Sequence, residues 1–126
     1  MRSLARSLRF DERGTTAVEF ALVAPMMITM LVGTVALCVG LYLIGSLHYA
    51  VEEAARCASV KTTVCTDSAS TQTYAQNHYF GPTSLAPTFT ATAAACGNSV
   101  SATITYTMNT GFATYTIPIS AAACFP

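Results

Sequence analysis

"FALVAPMMITMLVGTVALCVGLYLIGSL", residues 20–47, holds 28 positions without one charged side chain. As an α-helix rising ~1.5 Å per residue the run is about 42 Å long, more than the roughly 30 Å of a bilayer core. It therefore reads as a membrane span. Downstream, "HYAVEEAARCASV" (48–60) is rich in Ala and Glu and sets Ala50, Ala54 and Ala58 four apart on one face, which keeps the chain helical. One helix from near Thr15 to about Val60 is expected. Pro25 lies inside it and has no N–H for the carbonyl of Ala21, which predicts a kink or local loosening near residues 21–25. Gly33 and Gly40, seven apart, share a face; they either admit a neighbouring helix closely or reflect the general frequency of Gly in membrane helices.

Upstream, "MRSLARSLRFDERG" (1–14) carries Arg2, Arg6, Arg9 and Arg13 against Asp11 and Glu12, whereas Arg56 and Lys61 after the span are offset by Glu52 and Glu53. The positive-inside tendency then keeps the amino end cytoplasmic and exports the carboxyl half. Charge stops early. All six basic and six acidic residues precede residue 68, and the last 59 residues are filled with Thr, Ser, Ala and aromatics, His78 being their one basic side chain. The net charge is zero and no basic stripe is interleaved with aromatics, so nucleic acid is excluded as a partner for want of an electrostatic source of affinity.

The exported part changes period along its length. "TTVCTDSAS" (62–70) reads as a polar loop, with Asp67 or Ser68 capping a short helix through "ASTQTYAQNHYF" that ends at Gly81-Pro82. Beyond Pro87, "SVSATITYTM" (99–108) alternates Val100, Ala102, Ile104, Tyr106 and Met108 with Ser and Thr, the mark of a half-buried strand. "FATYTIPI" repeats this with Ala113, Tyr115, Ile117 and Ile119, and "TFTATAAA" does so weakly with Phe89, Ala91 and Ala93. Turn signals at 96–99 and 109–111 join them into a three-stranded antiparallel meander with one apolar and one Thr-rich face. Such a sheet needs a cover, and the exported end of the long helix supplies it. The fold class is α+β: a leader (1–14), a long helix (15–60) that spans the membrane at about 20–47, and an exported head (61–126).

Four cysteines beyond the span, Cys57, Cys65, Cys96 and Cys124, indicate two disulfides and an oxidising compartment. In a meander the end of the first strand and the end of the third share an edge, which favours Cys96 with Cys124 and leaves Cys57 with Cys65. Four cysteines permit three pairings, and the other two stay open. Neither Cys-x-x-Cys nor paired His spacing occurs, so no metal is assigned. Cys38 follows Leu37, where lipoprotein processing wants a small residue, and is read as a buried free thiol. His48 lies among Tyr42 and Tyr49 where the helix leaves the bilayer, and His78 has no nearby nucleophile or carboxylate cluster. The reading is of a non-enzyme with no cofactor and no small-molecule substrate.

Glu19 is the exception to this pattern, a carboxylate one step ahead of the span. One reading places it in the first turn of the helix, where the macrodipole favours it by about 0.3–1 kcal/mol. The other looks to its neighbours. If the chain were cut after Gly14, Thr15 would carry an α-ammonium four residues ahead of Glu19, and the two could pair within one helix or between packed copies.

"RGTTAVEFALVAP" (13–25) resembles the processing and assembly signature of type IV prepilins and pseudopilins, and most closely the TadE-like minor pilins of bacterial tight-adherence (Flp-type) pilus systems. The matching parts are Gly14 before the cut, Glu19 at the fifth mature position, Phe20 beside it, the "ALVAP" run with Pro25, and the apolar helix. The resemblance continues through "AVEEAARCASV", "YAQNHYF", the Thr-rich strands and "ISAAACFP". It implies a pilin-like fold, cleavage by a prepilin peptidase between Gly14 and Thr15, and a need for Glu19 in processing or assembly. It also implies residence in the bacterial inner membrane with a periplasmic head, other pilins and pilus assembly proteins as partners, and a part in building or capping an adhesive pilus at the cell surface. The head sets the chain apart from a major Flp pilin, which is little more than the helix, and so favours a minor, tip or initiating subunit. The rival reading is a membrane-anchored periplasmic adaptor or binding module that is never cleaved.

Overall fold

A computed structural model of the chain describes residues 13–109 and 113–126. Residues 1–12 of the expected leader and most of the expected 109–111 turn lie outside the described residues. The element order is α1 (Arg13–Val60), α2 (Ser68–Asn77), a short 3₁₀ turn (Thr83–Leu85), then β1 (Thr88–Ala94), β2 (Gly97–Asn109) and β3 (Thr114–Phe125). The chain divides into two compact units, one ending at Leu37 and one comprising Cys38–Pro126. The described part of the first is the stretch of α1 up to Leu37, and its apolar side chains are bare: Val18, Phe20, Leu22, Met26 and Met30 are all exposed. α1 is the one helix among the described residues long and apolar enough to cross a membrane, which fits a single-pass anchor.

In the second unit α1 covers the sheet. The strands lie in the order β1-β2-β3, both pairs antiparallel, with Phe89 opposite Ala102 and Ile104 opposite Ile119. Leu43, Leu47, Ala50, Val51, Ala54 and Ala55 form one buried stripe on α1, repeating every three or four residues, and meet Phe89, Val100, Ala102, Ile104, Ile119 and Ala121 from the strands. Full burial of Leu43, Leu47 and Val51 contributes about 1.5–3 kcal/mol each. Ala50, Ala54 and Ala55 are fully buried within this stripe. The alternation read in β2 holds, with Val100, Ala102 and Ile104 buried and the intervening Ser and Thr exposed. In β3 the same face carries Tyr115 and Ile117, yet both are exposed, because the core ends at Ile119.

Local details correct two boundaries and one burial. α2 ends at Asn77 instead of running to Phe80, because His78 caps it with a backbone turned out of the helical range and Tyr79-Phe80 turn toward α1. The β1–β2 turn is Ala95-Cys96, with Ala94 opposite Gly97, so the four-residue turn 94–97 lies two residues earlier than the 96–99 signal suggests. Gly97 is required there: its φ is +117°, and an added Cβ would lie 2.2 Å from the Phe125 carbonyl oxygen. Cys38 is a free thiol but not a buried one; it is exposed on α1, where the chain begins to bury the helix only at Leu43.

Candidate functional site

In the first unit the residues singled out by the sequence lie on successive turns of α1. Gly14, Thr15, Glu19 and Phe20 are all exposed. Within the described residues α1 begins at Arg13, so Glu19 lies past the first turn, where the helix dipole has largely faded. The dipole reading of Glu19 is therefore weakened. Thr15 and Glu19, four apart, share a face. A Cβ built at Gly14 meets nothing within 4 Å, so the helix itself does not demand glycine there. α1 continues through Pro25, and the Thr29 hydroxyl donates back to the Pro25 carbonyl.

The head is closed by two disulfides. Cys57 and Cys65 tie the end of α1 to the loop that follows, with Cα atoms 5.8 Å apart; Cys96 and Cys124 join the β1–β2 turn to the end of β3, at 6.2 Å. Ser59 adds a polar clasp at the same end: its hydroxyl accepts from Asn98 Nδ2 and donates to the Phe125 carbonyl, both at 3.1 Å. Asp67 forms the N-cap of α2 as a capping box. Its Oδ1 accepts from the Ser70 backbone N–H at 2.7 Å while the Ser70 hydroxyl accepts from the Asp67 N–H at 3.1 Å. The Ser70 N–H first, and the Ser70 hydroxyl second, hold the Asp67 carboxyl below its ordinary value.

Two hydroxyl-rich features stand on the outside of the head. The sheet face turned away from α1 presents Thr88 opposite Thr103, Thr90 opposite Ser101 and Thr107 opposite Thr116, all exposed. A groove of ≈ 250 Å³ between the α1–α2 loop and the β1–β2 hairpin is lined by Thr62, Thr66, Asp67, Thr71, Asn98 and Ser99 among others. Its one carboxylate is committed to the cap of α2. These surfaces can exchange hydrogen bonds with a partner; neither sets a nucleophile beside a base. The two histidines stand apart from both: His48 is exposed on α1, and His78 stacks on Tyr74 at 4.1 Å while its Nδ1–H donates to the Tyr74 carbonyl at 2.8 Å. Among the described residues no three His, Cys, Asp or Glu side chains gather.

Sequence reasoning missed the contact of Tyr79-Phe80 with α1. The Phe80 N–H donates to Ser46 Oγ at 2.9 Å, and the Tyr42 hydroxyl donates to the Phe80 carbonyl at 2.5 Å. The Phe80 ring lies 5.6 Å from that of Tyr49. Tyr79 turns inward to meet Phe89 edge-on at 6.5 Å, leaves its buried hydroxyl unpartnered, and passes so close to Gly81 that a Cβ there would sit 2.1 Å from that hydroxyl. Burial first, and Tyr42 second, push the Tyr79 phenol above its ordinary value. The Gly-Pro turn signal marks this loop in the sequence, but not what the loop touches.

Residues 14–56 match the family model described as TadE-like protein. No curated protein and no solved structure matches the chain. The match covers about a third of the chain and takes in the exposed apolar part of α1 and the whole of its buried stripe.

Proposed function

We propose that this chain, TadE-like over residues 14–56, is a minor pilin (pseudopilin) of a Flp/Tad type IV pilus, with a structural part in pilus biogenesis and surface adhesion. A prepilin peptidase hydrolyses the Gly14–Thr15 peptide bond and leaves a new α-ammonium on Thr15. The chain then sits in the bacterial inner membrane, its amino end cytoplasmic and its head periplasmic, packed beside other pilins. During assembly the apolar helix exchanges lipid for neighbouring helices. Glu19 is the counter-charge of the Thr15 amine and sets register, because an unpaired carboxylate in that setting is costly. Pro25 gives local compliance, and the hydroxyl face of the head meets partners or the adhered surface.

The observation that carries this reading is the contrast along α1. From Val18 to Leu41 the large apolar side chains stay exposed, with one carboxylate at their start, whereas from Leu43 one face is buried in a disulfide-bonded head. A helix left bare over that length needs lipid or other helices around it, and the exposed Glu19 needs a cation. Intact-mass measurement of the protein from cells containing the peptidase tests the proposal. A mature chain starting at Thr15 is expected; an uncut amino terminus would leave the membrane-anchored adaptor as the better reading.

A further inference from the structure

The Tyr79-Phe80 loop has no part in the pilin reading, yet its geometry is specific. Phe80 is 64% exposed, although it is fastened to α1 through both of its backbone hydrogen-bonding groups, by Ser46 and Tyr42. Tyr42 and Tyr49, seven residues apart on α1, share a face and are themselves 54% and 44% exposed. Phe80 links the two from outside the helix, its ring 5.6 Å from that of Tyr49 and its carbonyl accepting from the Tyr42 hydroxyl. The result is an outward-facing patch of three aromatic rings, two with hydroxyls, to which α1 and the loop both contribute.

We propose that this patch is a lipid contact: Phe80, with Tyr42 and Tyr49, seats the head in the interfacial layer of the leaflet on the head's side of the membrane. The inference rests on α1 being a membrane span and does not depend on cleavage or on pilus assembly. Three observations carry it. First, the patch is continuous with the bare apolar surface of α1, since Leu41 and Ile44 beside it are exposed as well. Second, its depth is right. The uncharged run 20–47 is longer than the about 20 helical residues that cross the roughly 30 Å core; a span that begins at Phe20, the first of the run, uses residues up to about Val39 and leaves Tyr42 with Phe80 in the headgroup layer beyond, where amphipathic rings concentrate. Third, its backbone is prepared for a poorly hydrated layer. The N–H and C=O of Phe80 are satisfied by helix side chains, and Pro82 has no N–H to satisfy, whereas an ordinary loop would bring unpaired groups into that layer. Along α1 no charged residue lies between Phe20 and Val51, Glu52 and Glu53 coming only after Tyr49.

The chain has no tryptophan, so Phe80→Trp creates a single emitter in the full-length protein. The variant is reconstituted in vesicles of phosphatidylethanolamine and phosphatidylglycerol containing phosphatidylcholine brominated at shallow or at deep acyl positions. Expected are blue-shifted emission, a larger loss with shallow than with deep bromines, and protection from aqueous iodide. Tyr49→Trp should behave alike and serves if Phe80→Trp disturbs the loop. Phe125→Trp, at the Ser59 end of the head, should ignore the bromines. Emission that iodide quenches and bromines do not overturns the proposal. So does emission that resists both quenchers in crowded vesicles and opens to iodide on dilution, which would assign the patch to a second copy of the chain. Flotation of the same vesicles checks the span separately: protein that floats with an unquenched emitter refutes the lipid contact alone, and protein that stays behind refutes the span as well.

Discussion

Gly14 is exposed on α1 with open space where a side chain would go. Alanine there should leave the fold intact and, if anything, strengthen the helix by about 0.8–1 kcal/mol, since Gly is the poorer helix former. Any harm done by Gly14→Ala must then come from recognition by the peptidase. The expected result is an unchanged melting temperature for the head together with a retained leader by intact mass; normal processing would argue against the cut site. Glu19→Gln, which keeps the shape and removes the charge, should give membrane-inserted but poorly assembled protein in a piliation assay. Asp67 makes a different prediction. Its carboxyl is held below the ordinary value by the Ser70 N–H and hydroxyl, so its cap stabilises the head in full above about pH 4, the ordinary aspartate range, and that stabilisation fades as pH falls through the lowered folded value. Asp67→Asn should keep the cap and flatten this part of the acid dependence, measured as melting temperature against pH.

At the scale of the element, α1 carries two surfaces in one helix. The stripe from Leu43 to Ala55 was half legible: Ala50 and Ala54 stand four apart in the sequence, but Leu43 and Leu47 sit inside an apolar run where no polar neighbour marks which face turns inward. Only the packed sheet distinguishes them from Leu41 and Ile44, which are exposed. Leu47→Ala should therefore destabilise the head by about 2–5 kcal/mol, whereas Leu41→Ala should leave its melting temperature nearly unchanged. Ala54→Leu would overpack a fully buried position and cost about 1–3 kcal/mol. Thermal melts of the three variants in one detergent compare them directly. The strands were more readable than the helix face, since period-two alternation with Thr names the buried side outright; the exposure of Tyr115 and Ile117 was not, because alternation marks a face without marking where its cover ends.

For the whole molecule, two covalent links close the end of the head where α1, the β1–β2 turn and the end of β3 converge. On loop-closure entropy alone, removing the link across 28 residues should cost about 3.5 kcal/mol and removing the one across 8 about 2.5 kcal/mol. The Cys96→Ser/Cys124→Ser double variant should accordingly melt lower than Cys57→Ser/Cys65→Ser, and both below the parent. Length, charge distribution and hydropathy period by themselves determined the long apolar helix, the short helix and the three-stranded meander, because each depends on local composition and on a repeat that neighbouring residues carry. The meander's order alone also brings Cys96 and Cys124 to one edge. Which face of an unbroken apolar helix turns inward, where the sheet's cover stops, and the fastening of Phe80 to Tyr42 and Ser46 across more than 30 residues of chain were decided only by tertiary packing. Such contacts join segments whose local sequences carry no sign of each other.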